Sequence, residues 1–394
     1  MKNILIISQY FWPDNFLIND FSQILKKNEY NVSIVTGSSG YYVNSKDLKH
    51  QRKVSNHDYK IIQLPTFSRG RFIGLFFNYI SFIISGILFL PFQLYSKKFD
   101  LVLVYATSPV TQIILGYYVK IIKNCKLVIW VQDLWPELLK NYFEKKYYSY
   151  IAPVLKKIIN TILKKSDLIF CQSEGYLQHY NEEIPNIKNK LKILPNFSNE
   201  YQIKQKIVKN QNLKLLFTGN IGKSQNIDLL IDVAVELQKN HEDIFIYFYG
   251  DGSEKDKLLK SVKLKKINNI IVKDHVNSKE IVEIINHEAD AVLLTLEDNY
   301  GLNLTIPSRL QTFLYIGKPV IASINGEAQK IINAAKCGIC VDANDKAGLI
   351  RAIVDFKAKK EVDLIDYQKN AINFYENNFS KKQVLSIWKK ELKF

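Results

Sequence analysis

The sequence predicts an α/β fold of two Rossmann-like, doubly wound domains, and three observations lead there. Short β-branched runs alternate with helical stretches along the chain, the pattern of successive βαβ units around a parallel sheet. The alternation pauses once, over residues 197–212, a polar stretch without apolar periodicity, and then restarts. The length of 394 residues suits two domains at roughly 100–200 residues each.

In chain order the first strand-like runs are Asn3–Ser8, Asn31–Thr36, Tyr59–Gln63, Leu101–Tyr105, Lys126–Val131, Leu168–Gln172 and Leu191–Leu194. Phe16–Lys27, Thr111–Ile122 and Tyr150–Lys164 have helical character between them. After the pause, strands are expected at Leu213–Thr218, Phe245–Tyr249, Asn269–Val272, Ala291–Leu296, Pro319–Ser323 and Gly338–Val341. The expected division is a first domain at 1–200, a second at 201–375, and a closing segment 376–394 whose basic helix packs back on the first domain.

The chain carries 54 Lys and Arg against 38 Asp and Glu, a formal charge of +16. Its partners are therefore anionic: a phosphate-bearing substrate, an anionic membrane surface or nucleic acid. Residues 1–200 hold net +11 and the remainder +5, which directs any large anionic partner to the first domain. Four cysteines do not make a disulfide scaffold. Cys337 and Cys340 form a CxxC, but neither Cys125 nor Cys171 has a Cys or His within five residues, so no zinc site is expected. The opening apolar run Ile4–Ile7 is too short for a secretory signal, and a cytoplasmic chain is expected.

Residues Phe72–Leu94 contain no charge and meet the length rule for a membrane span. Three features oppose spanning. Asn78, Ser81 and Ser85 recur as a polar stripe on one helix face. Arg69 and Arg71 precede the stretch while Lys97 and Lys98 follow it, so no sidedness is encoded. Leu101–Val104 then reads as a strand of the same sheet as 3–8 and 31–36, which a span would place across the bilayer. The expectation is a long helix, buried or docked on a surface.

Ligands of doubly wound sheets sit at the carboxyl ends of strands, so the loops there carry the chemistry. Gly219-Asn220-Ile221-Gly222-Lys223-Ser224 ends like a P-loop, yet the position five before Gly222 is Phe217, and the NTPase reading fails. A diphosphate cradle with Lys223 at a helix start and a plain βα turn both remain open. Gly250-Asp251-Gly252 is a second such turn. Thr305-Ile306-Pro307-Ser308-Arg309 precedes a helix; proline in a first turn beside a fixed cation makes an anion site. Asn325-Gly326-Glu327 opens another helix and offers a carboxylate to sugar hydroxyls, or simply a helix-start acid. In the first domain Tyr10–Asp20, with Asn15 and Asn19, and Trp130–Glu137, with Asp133, Trp135 and Glu137, suit a carbohydrate cleft or a core with satisfied acids.

Together these motifs resemble glycosyltransferase family 4. The carriers are Phe11-Trp12-Pro13-Asp14-Asn15-Phe16 with Ile18-Asn19-Asp20, Asp133-Leu134-Trp135-Pro136-Glu137, Gly219–Lys223, Pro307–Thr312 with Gly317–Ser323, and Gly326-Glu327. The combination is similar to bacterial O-antigen and capsule transferases that handle N-acetyl-fucosamine or related aminosugars. The resemblance implies a GT-B fold, two Rossmann-like domains facing across a cleft, with the acceptor on the first and the nucleotide sugar on the second. It implies retaining transfer from a nucleotide diphosphate sugar, UDP-linked, to a lipid-linked saccharide at the inner membrane face. It assigns catalysis to Asp133 and Glu137. Donor binding falls to Gly219, Asn220, Gly222, Lys223, Gly250, Thr305, Pro307, Ser308, Arg309, Thr312 and Glu327, and acceptor contacts to Asn15, Asn19 and Trp135. The family's paired glutamates are replaced by Leu304 and Thr312, its phosphate-binding Arg and Lys by Asn220 and Gln225, and its first-domain histidine by Asp133 or its neighbours. No D-x-D triplet occurs, which fits an enzyme without a metal or other cofactor. A nucleotide-sugar 2-epimerase has the same architecture and is the rival enzyme. A nucleic-acid-binding protein is the rival of another class, and no helix-turn-helix, zinc or RNA-recognition signature supports it.

Overall fold

The computed structural model describes residues 1–38, 60–68, 72–141 and 145–392, apart from the side chains of 72, 73, 140, 141, 145 and 147. The expected strand start at Tyr59, and Arg69 and Arg71, lie outside that range. The chain divides into two compact units, Met1–Leu194 with Leu385–Phe394, and Pro195–Val384. The division therefore falls a few residues before the expected 200/201 boundary.

The first unit contains, in order, β1 (Asn3–Ile7), α1 (Leu17–Lys27), β2 (Asn31–Gly37), β3 (Lys60–Leu64), α2 (Phe72–Gln93), β4 (Leu101–Ala106) and α3 (Ile113–Lys123). It continues with β5 (Lys126–Val131), α4 (Lys145–Lys165), β6 (Leu168–Cys171), α5 (Glu174–Glu183) and β7 (Leu191–Ile193). The strands form one parallel sheet in the order β3-β2-β1-β4-β5-β6-β7. Ile4–Ile7 and Leu101–Val104 are wholly buried, because helices cover both faces of a parallel sheet and its central strands become unbroken apolar runs.

The second unit follows the same grammar with β8 (Leu213–Asn220), α6 (Ile227–Asn240), β9 (Ile244–Asp251), α7 (Lys255–Leu264), β10 (Ile270–Lys273), α8 (Ser278–Glu288) and β11 (Ala291–Thr295). Then come α9 (Tyr300–Asn303), α10 (Ser308–Ile316), β12 (Val320–Ser323), α11 (Glu327–Ala335), β13 (Gly338–Val341), α12 (Lys346–Lys357) and α13 (Glu361–Asn378). Its parallel sheet runs β10-β9-β8-β11-β12-β13. Strand order reverses between β1 and β4 in one sheet and between β8 and β11 in the other, and the crevice at such a reversal is where doubly wound folds bind ligands.

Helix α14 (Lys381–Leu392) carries the chain back to the first unit. Trp388 is wholly buried there, with its ring 5.2 Å from Phe21 of α1 and 5.8 Å from Phe170 of β6.

One expectation needs correction. Gly219 and Asn220, read as a turn, are the last residues of β8 and pair with Gly250 and Asp251 of β9. A Cβ on Gly250 would lie 1.8 Å from the Gly219 carbonyl oxygen, so the glycines allow two strands to run close together instead of breaking them. Gly250→Ala is expected to cost about 1–3 kcal/mol, the range for overpacking. An unchanged urea midpoint would show that the strands separate without strain.

For α2 the expectation left two forms open, buried or docked on a surface. Its polar stripe is sewn inward: Asn78 Oδ1 accepts from Gln9 Nε2 at 2.8 Å and from the Tyr10 hydroxyl at 2.9 Å. Ser81 Oγ accepts from the Phe67 N–H at 3.0 Å, and Ser85 Oγ donates to the Pro65 carbonyl at 2.5 Å. The opposite side is bare, with Phe76 59% and Ile87 40% exposed, and beyond Ser85 the helix end is open on the stripe's own side too, with Leu88 58% and Phe92 81% exposed. Gly74–Gln93 is long and apolar enough to cross a membrane. Yet β3 before it and β4 after it lie in one sheet, so the helix runs back along that sheet. It is not a buried core helix.

Candidate functional site

The Arg309 side chain bridges the reversal between β8 and β11. Arg309, in the first turn of α10, donates through Nη1 to the Thr218 carbonyl of β8 at 3.1 Å and through Nη2 to the Thr295 carbonyl of β11 at 3.3 Å. Nη2 also bonds Gln225 Oε1, and the guanidinium lies 4.7 Å above the Phe217 ring. Among the described residues its partners are neutral oxygens and a π-face, never a carboxylate. Burial pushes the guanidinium down to about 9, so it stays charged at neutral pH. A half-buried cation with no counter-charge among the described residues has an electrostatic deficit that a bound anion fills.

Other donors surround it. Pro307 is the N-cap of α10 and no side chain caps that helix, so its first-turn N–H groups present partial positive charge. Ser308 and Lys223 are exposed, Lys223 opening the short turn Lys223–Gln225 after β8. Gly219 has φ +108°, and a Cβ there would meet nothing within 4 Å. Gly222, in extended backbone, precedes the Lys223 turn. Glu327 heads α11, mostly buried, with Oε1 2.8 Å from Lys330 Nζ. Gly326 beside it holds φ +77°, where a Cβ would lie 2.0 Å from the Asn303 carbonyl; only glycine brings the two loops this close. Thr305 and Thr312 spend their hydroxyls locally, Thr305 Oγ1 on the Gly301 carbonyl at 2.8 Å and Thr312 Oγ1 against Ser198 Oγ at 3.0 Å.

In the first unit, Asp133 follows β5. Its Oδ2 accepts from the Ser108 N–H at 2.6 Å. Trp135 Nε1 donates to Ser108 Oγ at 2.9 Å, so the buried Trp135 braces the loop that holds Asp133. Burial raises the Asp133 carboxyl above its ordinary value, against the hydrogen bonds from Ser108. Asn19 is buried with both ends of its amide engaged, Oδ1 accepting from the Trp12 N–H and Nδ2 donating to the Asp14 carbonyl. It shapes the loop after β1, while Asn15 in that loop is exposed.

Glu137 has a different set of partners. It groups with His179 and Glu183, one oxygen or nitrogen of each lying within 4.8 Å of the others. Burial lowers the His179 pKa, partly opposed by Glu137 and Glu183. Such a set can hold a cation, and the Lys156 ammonium pairs with Glu183 at 2.5 Å. Sequence reading missed His179. The three residues meet through the adjacency of β5 and β6, and no local motif marks them.

Two parallel-sheet Rossmann-like units of this kind make a GT-B fold. Residues 198–373 match the family described as Glycosyl transferases group 1. Over 100% of this chain and 99% of the other, the fold is similar to sucrose-phosphate synthase from Thermosynechococcus elongatus, with TM-score 0.76 and 12% identity. It is similar to Anabaena HepE in complex with UDP-glucose over 100% of both chains, with TM-score 0.70 and 12% identity. A glycosyltransferase from Rickettsia africae matches over 100% of this chain and 99% of the other, with TM-score 0.67 and 18% identity. No curated protein matches the sequence.

Proposed function

We propose that the chain is a retaining, metal-independent glycosyltransferase. It moves a sugar, an N-acetylated aminosugar such as N-acetyl-fucosamine, from a UDP-linked donor to a polyprenyl-diphosphate-linked saccharide in surface-polysaccharide synthesis. It works at the cytoplasmic face of the membrane. The observation that carries the reading is the half-buried Arg309 guanidinium, which meets no carboxylate among the described residues, where β8 and β11 diverge. The group 1 match over the second unit supports it, as do similar folds whose structures hold UDP or UDP-glucose.

In this mechanism the bond from the anomeric carbon to the diphosphate breaks as the acceptor hydroxyl forms the new glycosidic bond on the same face. Negative charge grows on the leaving diphosphate, and Arg309, Lys223 and the α10 N–H groups stabilise it electrostatically. Asp133 orients the acceptor hydroxyl or takes its proton.

The test is thermal melting against a panel of nucleoside diphosphates. A ligand at 100 times its Kd stabilises by about 2.7 kcal/mol, and UDP is expected to give the largest shift. A protein whose melting no nucleotide alters would remove the donor reading. Interconversion of free nucleotide sugars without transfer would assign the chain to the 2-epimerases instead.

A further inference from the structure

Right-handed crossovers fix where the helices of the first unit lie. The chain moves from β3 to β4, β4 to β5 and β5 to β6 in one direction across the sheet, so α2, α3 and α4 share a face. The β1-to-β2 crossover moves the other way and puts α1 on the opposite face, where α14 packs. The Tyr118 hydroxyl of α3 donates to the Ile87 carbonyl of α2 at 3.2 Å, and Leu115 of α3 fills the space over Gly86.

The outer surface of this helix row is apolar along its length. Leu88 and Phe92 of α2, Ile121 at the end of α3, and Tyr150 and Val154 of α4 are 58–81% exposed. None of the three helices contains an Asp or a Glu, although surface helices ordinarily mix both signs. All three run against the strands and end at one edge of the sheet. Lys60, Lys97, Lys98, Lys123, Lys164 and Lys165 collect at that edge. Among the described residues there, Asp100 pairs with Lys2 and Asp167 with Lys120. Partial burial, with Lys60 facing it, pushes Lys97 down to about 8.

We propose that α2, the end of α3 and the outer side of α4 form one docking surface for an anionic lipid bilayer, with α2 lying in the plane of the leaflet. An apolar strip edged by lysines that pair with no acid among the described residues matches acyl chains below anionic headgroups. A second copy of the chain fits less well, because a two-fold contact places like surface on like and offers the lysine edge no acidic counterpart. The proposal deepens the membrane part of the function proposed above and is independent of the donor site.

The test is co-sedimentation of the full chain with vesicles of phosphatidylglycerol and phosphatidylcholine, or of phosphatidylcholine alone, with UDP-dependent melting measured on the same samples. Binding is expected to the anionic vesicles, at least about tenfold weaker to the neutral ones, and to fall at high salt. Leu88→Glu and Val154→Glu should each weaken vesicle binding about tenfold or more, since a charge on the lipid-facing side is costly, while the UDP shift persists. Val154→Glu binding like the parent would overturn the three-helix surface. So would binding that survives both salt and alkaline extraction, which would make α2 an integral anchor. A lipid-free dimer dissociated by Leu88→Glu would give the surface to a second copy. Absence of vesicle binding with the UDP shift intact would remove the surface and leave the donor reading standing.

Discussion

Replacing Asp133 with Asn is expected to cut turnover by about 10²–10⁴-fold, the range for a positioned acid or base, with donor affinity intact. The amide keeps the shape and can still accept the Ser108 N–H bond that holds Oδ2 at 2.6 Å. What it removes is a carboxylate whose pKa burial has raised. The sign of the stability effect follows from that direction. Between the ordinary carboxyl value and the raised one, the folded protein holds a proton that the unfolded chain has released, so stability falls as pH rises through that window. Asp133→Asn abolishes this dependence and should be no less stable than the parent above the window. Loss of turnover with stability kept, read by initial rates and urea unfolding, separates a chemical role from a structural one. Full turnover in the variant would leave Asp133 a loop-forming residue.

Arg309→Ala is expected to weaken UDP binding by about 1–3 kcal/mol, the worth of a lost charge-assisted hydrogen bond. Lys223→Ala should weaken it less, because Lys223 is exposed and solvent screens its field. Calorimetry on the two variants decides the matter. Unchanged affinity in both would take the diphosphate away from the divergence of β8 and β11.

The doubly wound architecture was legible because buried parallel strands must be continuous apolar runs, and runs such as Leu101–Val104 have few other uses. Strand ends were less so. Gly219 and Asn220 extend β8 because Gly250 leaves room for them, whereas glycine in a sequence reads first as a turn. The importance of Arg309 was visible from Pro307 and Ser308 beside it. Its partners were not, since Thr218, Gln225 and Thr295 meet only through strand order. Asn19 and Trp135 were read as acceptor contacts, yet Asn19 bonds its own loop and Trp135 bonds Ser108 in the loop after β4. A residue type at a strand end marks a neighbourhood, and the direction of its side chain depends on contacts distant in sequence. The polar stripe of α2 was readable from spacing, whereas the breadth of the bare surface beside it required the neighbouring helices.

The return of α14 to the first unit sets an order of assembly on the ribosome. The residues that open the chain are made first, yet the core around Phe21 and Phe170 lacks Trp388 until the closing ten residues, Leu385–Phe394, have been translated. At about 5–20 residues per second, synthesis of the intervening unit takes roughly 10–40 s. For that interval the nascent amino-terminal half exposes a Trp-sized apolar gap, while the second unit can close its own core as soon as it emerges. The unit started earlier is thus completed after the one started later.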